Sequence, residues 1–134
     1  MSASAGSGAT DGGAAPVEPG TGPLRAVEEH IRAFNARDLD AVMAGFDDDA
    51  VFSTTDHLAV GARAIGQLFA ESFAAPATAR LELQRAVVSG DTAGCELTEF
   101  IAAEGVEHTL EVAAFYTVRG GRIARVRIYR DLPP

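Results

Sequence analysis

Four long segments of alternating hydrophobicity, each joined to the next by a two-residue turn, occupy the second half of this sequence. They cover residues 79–89, 92–103, 106–119 and 122–131. The turns at 90–91, 104–105 and 120–121 all contain glycine. Apolar residues at every second position are typical of a strand with one buried face. Because strands joined by tight turns pair with their sequence neighbours, the pattern predicts a four-stranded antiparallel meander.

The first half of the chain has helical periodicity. Apolar residues spaced three, four and three apart predict a first helix, and they are Leu24, Val27, Ile31 and Phe34. Asp38 is the predicted N-cap of a second helix that continues to Phe46. This helix is expected to end at the three aspartates 47–49, because carboxylates oppose the macrodipole at a helix C-terminus. A strand is predicted over 50–55, a connection over 56–61 and a third helix over 62–75.

Three helices followed by a meander predict a single domain of the α+β class. We expect a cone-shaped α+β barrel, in which the three N-terminal helices pack in the concave face of a curved, mostly antiparallel sheet. The domain is predicted to span residues 23–134. Residues 1–22 consist mainly of Gly, Ala, Ser, Pro and Thr. Because they contain too few apolar side chains to offset the entropy of ordering, we predict a disordered tail there.

The alternation sorts the strand residues into two faces. The mainly apolar face is predicted to line an interior pocket, and it holds Leu97, Glu99, Ile101, His108, Leu110, Val112, Ala114, Tyr116, Val126, Ile128 and Arg130. The opposite face mixes charges with aromatic residues, among them Glu96, Glu111, Phe115, Arg127 and Tyr129. Such a mixture suits a sheet surface that is either wet or covered by a partner.

The stretch FNARDLDAVMAGFDDDAVF, with the later GARAIGQLFAESF and GGRIARVRIYRD, resembles the nuclear transport factor 2-like superfamily. That superfamily includes the ketosteroid isomerases and the SnoaL-like polyketide cyclases. The resemblance covers residues 24–131. It implies a homodimer formed through the outer sheet face. It also implies a cofactor-independent cyclase or isomerase that uses acid/base chemistry on a small, largely apolar, oxygenated molecule of polyketide type.

Two alternatives remain open on the same fold. One is a non-catalytic module that binds a small molecule or dimerises. The other is an epoxide hydrolase, since related folds open epoxides with an Asp–Arg–Asp set. The residues that ketosteroid isomerases use are replaced: by the resemblance their tyrosine falls on His30, their base on Thr54 and their oxyanion aspartate on Ala114. Steroid isomerisation of that type is therefore excluded.

Three other residues are predicted to carry out acid/base catalysis. His30 lies beside the apolar line of the first helix and belongs to a residue type suited to proton transfer; the alternative is an exposed or capping histidine. Glu99 is a charge on the apolar face, where burial would raise the pKa of its carboxyl; the alternative is a charge that reaches solvent. Asp56 shares the strand face of Thr54 and would replace the missing base from a shifted position, or else it only forms a turn.

The predicted substrate-binding residues are Phe34, Thr54, Phe69, Phe73, His108, Tyr116, Val126, Ile128 and Arg130. Tyr116 would donate a hydrogen bond to a substrate oxygen. Arg130 would lie at the mouth of the pocket or pair with Glu99 or Asp131. No metal and no cofactor are predicted, because the three histidines are scattered and no Gly-rich phosphate loop is present.

Composition limits the partners and the location. The net charge is −8 and all 11 cations are arginines without a basic stripe, which argues against nucleic acid. No apolar run approaches the length of about eighteen residues that a membrane span requires. Cys95 is the only cysteine, so no internal disulfide can form. A reducing cytoplasm is therefore the expected location.

Overall fold

The elements of the fold follow one another as three helices and six strands. The computed structural model describes residues 22–130 of the chain. In chain order its elements are α1 (Gly22–Asn35), α2 (Leu39–Ala44), β1 (Phe46–Ser53), β2 (Leu58–Val60), α3 (Ala62–Ala74), β3 (Thr78–Ser89), β4 (Thr92–Ala103), β5 (Val106–Arg119) and β6 (Arg122–Arg130). Asp131 and all of the predicted tail except Gly22 lie outside the described residues, so the tail stays a prediction.

The strands form one sheet in the order β2-β1-β6-β5-β4-β3, with β2 and β3 at its edges. The predicted meander is confirmed, because β3, β4, β5 and β6 pair antiparallel in sequence order. β1 pairs parallel with β6 and antiparallel with β2. α1 packs across β3 to β6, and α3 packs against β1 and β2. The three helices thus cover the concave face of a curved, unclosed sheet, which confirms the predicted α+β class.

The prediction that three aspartates end the second helix is wrong. α2 ends at Ala44, with Asp38 as its N-cap: the Asp38 carboxylate accepts a hydrogen bond from the Ala41 N–H at 3.1 Å. The aspartates lie inside β1, which begins at the buried Phe46. Phe46 pairs with Ile123 of β6. The register with β6 shifts between Phe46 and Val51, so the three aspartates lie at an irregularity of the strand, between its paired and buried ends.

The predicted connection over residues 56–61 contains the short edge strand β2. Leu58, Ala59 and Val60 pair with residues 51–53 of β1. Only Ala59 is buried, since its two neighbours point to the outer side of the sheet and are exposed. A strand of three residues with one buried side chain gives too short an alternation to be recognised from the sequence.

The α1–α2 turn, residues 35–37, fastens two distant parts of the domain. The Asn35 amide donates to the Leu81 carbonyl at 2.9 Å, and its oxygen accepts from the Leu81 N–H at 2.8 Å. Arg37 adopts a left-handed φ of 57°. Its guanidinium donates to the Phe73 carbonyl and lies over the Phe73 ring at 5.2 Å. This turn is thereby attached both to the edge strand β3 and to the end of α3.

The inner face of the sheet supplies the core largely as the alternation predicts. Cys95, Leu97, Val112, Ala114, Tyr116 and Val126 are all buried there. The strand alternation changes in β6, where the register with β5 shifts between Thr117 and Val118. As a consequence Ile123, and not Ala124, is the fully buried residue at that level. Within residues 22–130, no helix is long and apolar enough to cross a membrane.

Candidate functional site

His30 lies at the centre of an aromatic cluster. Its ring is 5.5 Å from Phe46, 5.8 Å from Phe69, 5.9 Å from Tyr116 and 6.5 Å from Phe34, measured between centroids. These neighbours come from β1, α3, β5 and α1. The aromatic cluster is completed by Phe52 and Phe73, which contact Phe69. His30 is only 6% exposed, so the alternative of an exposed or capping histidine does not apply.

The imidazole of His30 is neutral and incompletely hydrogen-bonded. Its Nδ1 is buried and has no hydrogen-bond partner among the described residues. Burial lowers the pKa of His30 to about 4, because the apolar surroundings disfavour the charged form. A buried polar atom without a partner is unusual and costs roughly 1–3 kcal/mol. This nitrogen is therefore available to a hydrogen-bonding group of a bound molecule.

Tyr116 places a phenol beside this imidazole. It is 1% exposed and lies in β5, paired with Ala93 of β4 and Val126 of β6. Burial, with a smaller contribution from Cys95, raises the pKa of Tyr116 far above its usual range. The phenol is therefore protonated at neutral pH, when it can donate a hydrogen bond to an oxygen atom.

Glu99 and Arg130 form an ion pair on the inner face. Arg130 Nε donates to Glu99 Oε1 at 3.2 Å. Glu99 is 8% exposed, and it lies between Leu81 of β3 and Leu110 of β5. The alternative in which Glu99 points to solvent does not apply, and of the two partners considered for Arg130 the observed one is Glu99. The Glu99 carboxylate is hydrogen-bonded to Arg130, whereas His30 Nδ1 has no hydrogen-bond partner among the described residues. The two predicted catalytic residues are therefore not hydrogen-bonded to each other through Nδ1.

Asp56 and His108 lie outside the aromatic cluster. Asp56 occupies an exposed turn, in which the Thr54 hydroxyl accepts the backbone N–H groups of Asp56 at 3.3 Å and His57 at 3.1 Å. His108 is exposed on β5, opposite Ile101 and close to the turn at 104–105. Of the predicted substrate contacts, the structure brings Phe34, Phe69 and Tyr116 against His30. Phe73 packs behind them, against Phe34 and Phe69. Val126 is buried on the same sheet face and Ile128 is half-buried there.

Two members of the aromatic cluster, Phe46 and Phe52, were not predicted. Phe46 fits the apolar period of the second helix, so the sequence pattern does not indicate that this residue begins β1. Phe52 follows the alternation of β1, with burial at positions 50 and 52, and this signal was sufficient to identify it. Among residues 22–130 no group of three or more His, Cys, Asp or Glu side chains is arranged so that it could hold a metal ion.

The outer sheet face carries exposed aromatic residues. Phe115 and Tyr129 are 47% and 48% exposed, and their rings meet edge to face at 6.1 Å. Phe115 and Val87 lie over Gly94, where an added Cβ would be 3.1 Å from the Phe115 ring. Glycine at this position thus lets the Phe115 ring pack closely on β4, beside exposed charges such as Glu96.

Comparison with known proteins gives relatives of the same fold. A candidate polyketide cyclase from Sinorhizobium meliloti is 28% identical, with a TM-score of 0.66 over 78% of this chain and 93% of that one. An LEH-like epoxide hydrolase from M. tuberculosis is 24% identical, with a TM-score of 0.74 over 81% and 82% of the two chains. TerC, co-crystallised with polyporic acid, is 18% identical, with a TM-score of 0.73 over 81% and 91%.

Sequence comparison identifies the family. No curated protein matches this chain in sequence. The family model of the SnoaL-like domain matches residues 27–126, a range that runs from the middle of α1 to β6 and includes His30, Glu99 and Tyr116. The chain therefore belongs to the SnoaL-like domain family, within the nuclear transport factor 2-like superfamily.

Proposed function

We propose that this protein is a cofactor-independent cyclase or isomerase that uses acid/base chemistry on a small, largely apolar, oxygenated molecule of polyketide type. The observation that carries the proposal is the buried, unpaired Nδ1 of His30 inside the aromatic cluster. Apolar walls with a few converging polar groups are typical of small-molecule sites. The polyketide-type substrate is supported by the 28% identity to the candidate cyclase of Sinorhizobium meliloti.

Each polar group has a distinct role in this proposal. Neutral His30 accepts a proton from the substrate, for which its unprotonated form is required. Tyr116 donates a hydrogen bond to the substrate oxygen, where negative charge develops as the proton leaves. Glu99 transfers a proton at the second polar site of the inner face, which is its own ion pair with Arg130. Arg130 holds the Glu99 carboxylate in place. The site is proposed to need no metal and no cofactor, and the protein to work in the cytoplasm.

A non-catalytic binding module is the second candidate. It is favoured by the close ring contacts of 5.5–6.5 Å around His30, because they fill space that a substrate would need. An epoxide hydrolase is a further candidate, supported by the Glu99–Arg130 pair, which joins a carboxylate to an arginine as in the Asp–Arg–Asp set. The described inner face offers no second carboxylate beside that pair among its buried charged residues.

Matched pairs of aromatic compounds test the proposal: 2-naphthol against naphthalene, and 1-tetralone against tetralin. We expect the naphthol to bind at least about tenfold more tightly than naphthalene, because its hydroxyl satisfies the unpaired nitrogen of His30. Binding is followed by the ¹⁵N shifts of the histidine side chains, and conversion of the compounds by mass spectrometry.

His30→Phe keeps a ring of similar size but removes the nitrogen, so it should abolish the preference for naphthol. His57→Gln, in the exposed turn, serves as the control and should leave it unchanged. Equal affinity for naphthol and naphthalene in the unmodified protein would contradict the proposal. Binding without any conversion across a wider set of oxygenated compounds would favour the binding module.

We also propose that two copies associate through the outer face. Phe115→Glu should shift the protein from dimer to monomer in sedimentation velocity, because it buries a charge against an apolar partner surface. Val106→Glu is the matched control: Val106 is 53% exposed at the far end of β5, away from Phe115 and Tyr129. A protein that is already monomeric at micromolar concentration, or a dimer that survives Phe115→Glu, would refute this association.

A further inference from the structure

A cleft approaches His30 between α1, α2 and the β5–β6 turn. It has a volume of about 170 Å³. Most of its wall consists of residues with little or no side chain, namely Ala26, Ala41, Ala44, Gly45 and Gly121. Glu29 and His30 supply the polar part of the wall. The cleft exists because two helices meet a hairpin turn through alanine and glycine, which leave space that larger side chains would fill.

This cleft lies at the opposite end of the sheet from the Glu99–Arg130 pair. Gly121 belongs to the turn that joins β5 to β6, whereas Glu99 is level with Leu110 near the start of β5. Arg119, the last residue of β5, lies nine positions after Leu110, a span of about 30 Å at 3.4 Å per residue. Tyr116 lies between these two levels, and His30 packs against it. The cleft therefore reaches His30 without passing the ion pair.

The cleft has the size and the chemistry to hold water. Its volume is far above the ~15 Å³ that a single water molecule needs. His30 is the buried polar residue of its wall, and the 6% of its surface that remains exposed keeps it in contact with solvent. At the rim, the exposed Glu29 is paired with Arg25 at 3.5 Å, so the outer end is polar and wet.

We infer that this cleft is a water-filled entrance through which His30 exchanges its proton with solvent, independently of the end at which substrate meets Glu99. The inference deepens the proposed function, on which it rests for the acid/base role of His30. A proton taken from the substrate by the imidazole passes to the cleft waters and then to bulk solvent. The substrate's bond to that hydrogen breaks as an N–H bond forms on the imidazole; the N–H bond then breaks as an O–H bond forms on a cleft water, and the imidazole returns to its neutral state.

Hydrogen–deuterium exchange at the histidine C2 position, read by mass spectrometry over a range of pH, tests the inference without any substrate. The chain has three histidines, and the exposed His57 and His108 act as internal references. Ala44→Leu and Ala41→Leu each place a larger side chain in the cleft. We expect both to slow the maximal exchange rate of His30 several-fold and to leave the two reference rates unchanged.

Ala36→Leu is the matched control, because Ala36 is an exposed alanine of the α1–α2 turn that does not line the cleft. Circular dichroism and melting temperature check that each variant folds, and Ala41→Leu replaces Ala44→Leu if the latter does not. An unchanged His30 rate in the filled variants, or an equal loss in Ala36→Leu, would overturn the inference. The proposed function fails separately, by equal binding of naphthol and naphthalene.

Discussion

Acidification from pH 7 to pH 4 is expected to remove about 3 kcal/mol of unfolding free energy through His30 alone. The pKa of this imidazole falls from 6.5 to about 4 on burial, so the unfolded chain binds a proton more readily than the folded one. The contribution of the neutral imidazole is complete above pH 6.5 and is lost as the pH falls towards 4. Each tenfold change in proton affinity corresponds to about 1.4 kcal/mol, which gives the stated magnitude.

Urea unfolding of the unmodified protein and of His30→Phe, at intervals from pH 4 to pH 8, measures this effect. Carboxylates titrate in both proteins and cancel in the difference between their unfolding free energies. That difference should move by about 3 kcal/mol in favour of His30→Phe as the pH falls from 7 to 4. Parallel curves for the two proteins would show that His30 is protonated equally well in the folded and unfolded states.

Glu99→Gln is expected to lower turnover of a converted compound by about 10²–10⁴-fold, the usual contribution of general acid/base catalysis. Glutamine keeps the shape of the side chain and an oxygen for Arg130, but it cannot exchange a proton. Because the change removes proton transfer and leaves the apolar walls intact, kcat should fall while KM stays close to its original value. Steady-state kinetics on any compound that the protein converts gives both numbers.

Arg130→Gln separates catalysis from structure. This change breaks the same ion pair but keeps the Glu99 carboxylate. The Glu99 side chain is 10% exposed and the Arg130 side chain 35% exposed. A catalytic Glu99 predicts a much smaller loss of kcat in Arg130→Gln than in Glu99→Gln. If both variants lose turnover and stability equally, Glu99 supports the fold of the pocket and transfers no proton.

The alternation of apolar residues predicts the inner face of the sheet, because the face to which a side chain points depends only on its position along its own strand. Leu97, Glu99 and Tyr116 point inwards as their parity requires. Pairing across strands is not local: Arg130 reaches Glu99 across 31 positions of sequence, and the register shift between β5 and β6 alters which residues are level. Parity could therefore place the two charges on one face, but it could not by itself establish their contact.

Helix periodicity alone could not predict the environment of His30. The apolar spacing of α1 places His30 beside the core line, which fits both an exposed and a buried ring. Burial is decided by Phe46 of β1 and Phe69 of α3, which close over the imidazole from elsewhere in the chain. The same limit explains the error at α2, where the helical period continued to Phe46 although pairing with Ile123 draws that residue into a strand.

The bond between Asn35 and β3 has a consequence for aggregation. β3 is an edge strand, and an edge presents unpaired N–H and C=O groups to which a foreign strand can add. Asn35 occupies both backbone groups of Leu81 with its own amide, as a neighbouring strand would do. Arg80 and Glu82, exposed on either side of Leu81, add charges that a docking strand would have to desolvate. One asparagine at the end of a helix thus protects the first part of an open sheet edge against recruitment of other chains.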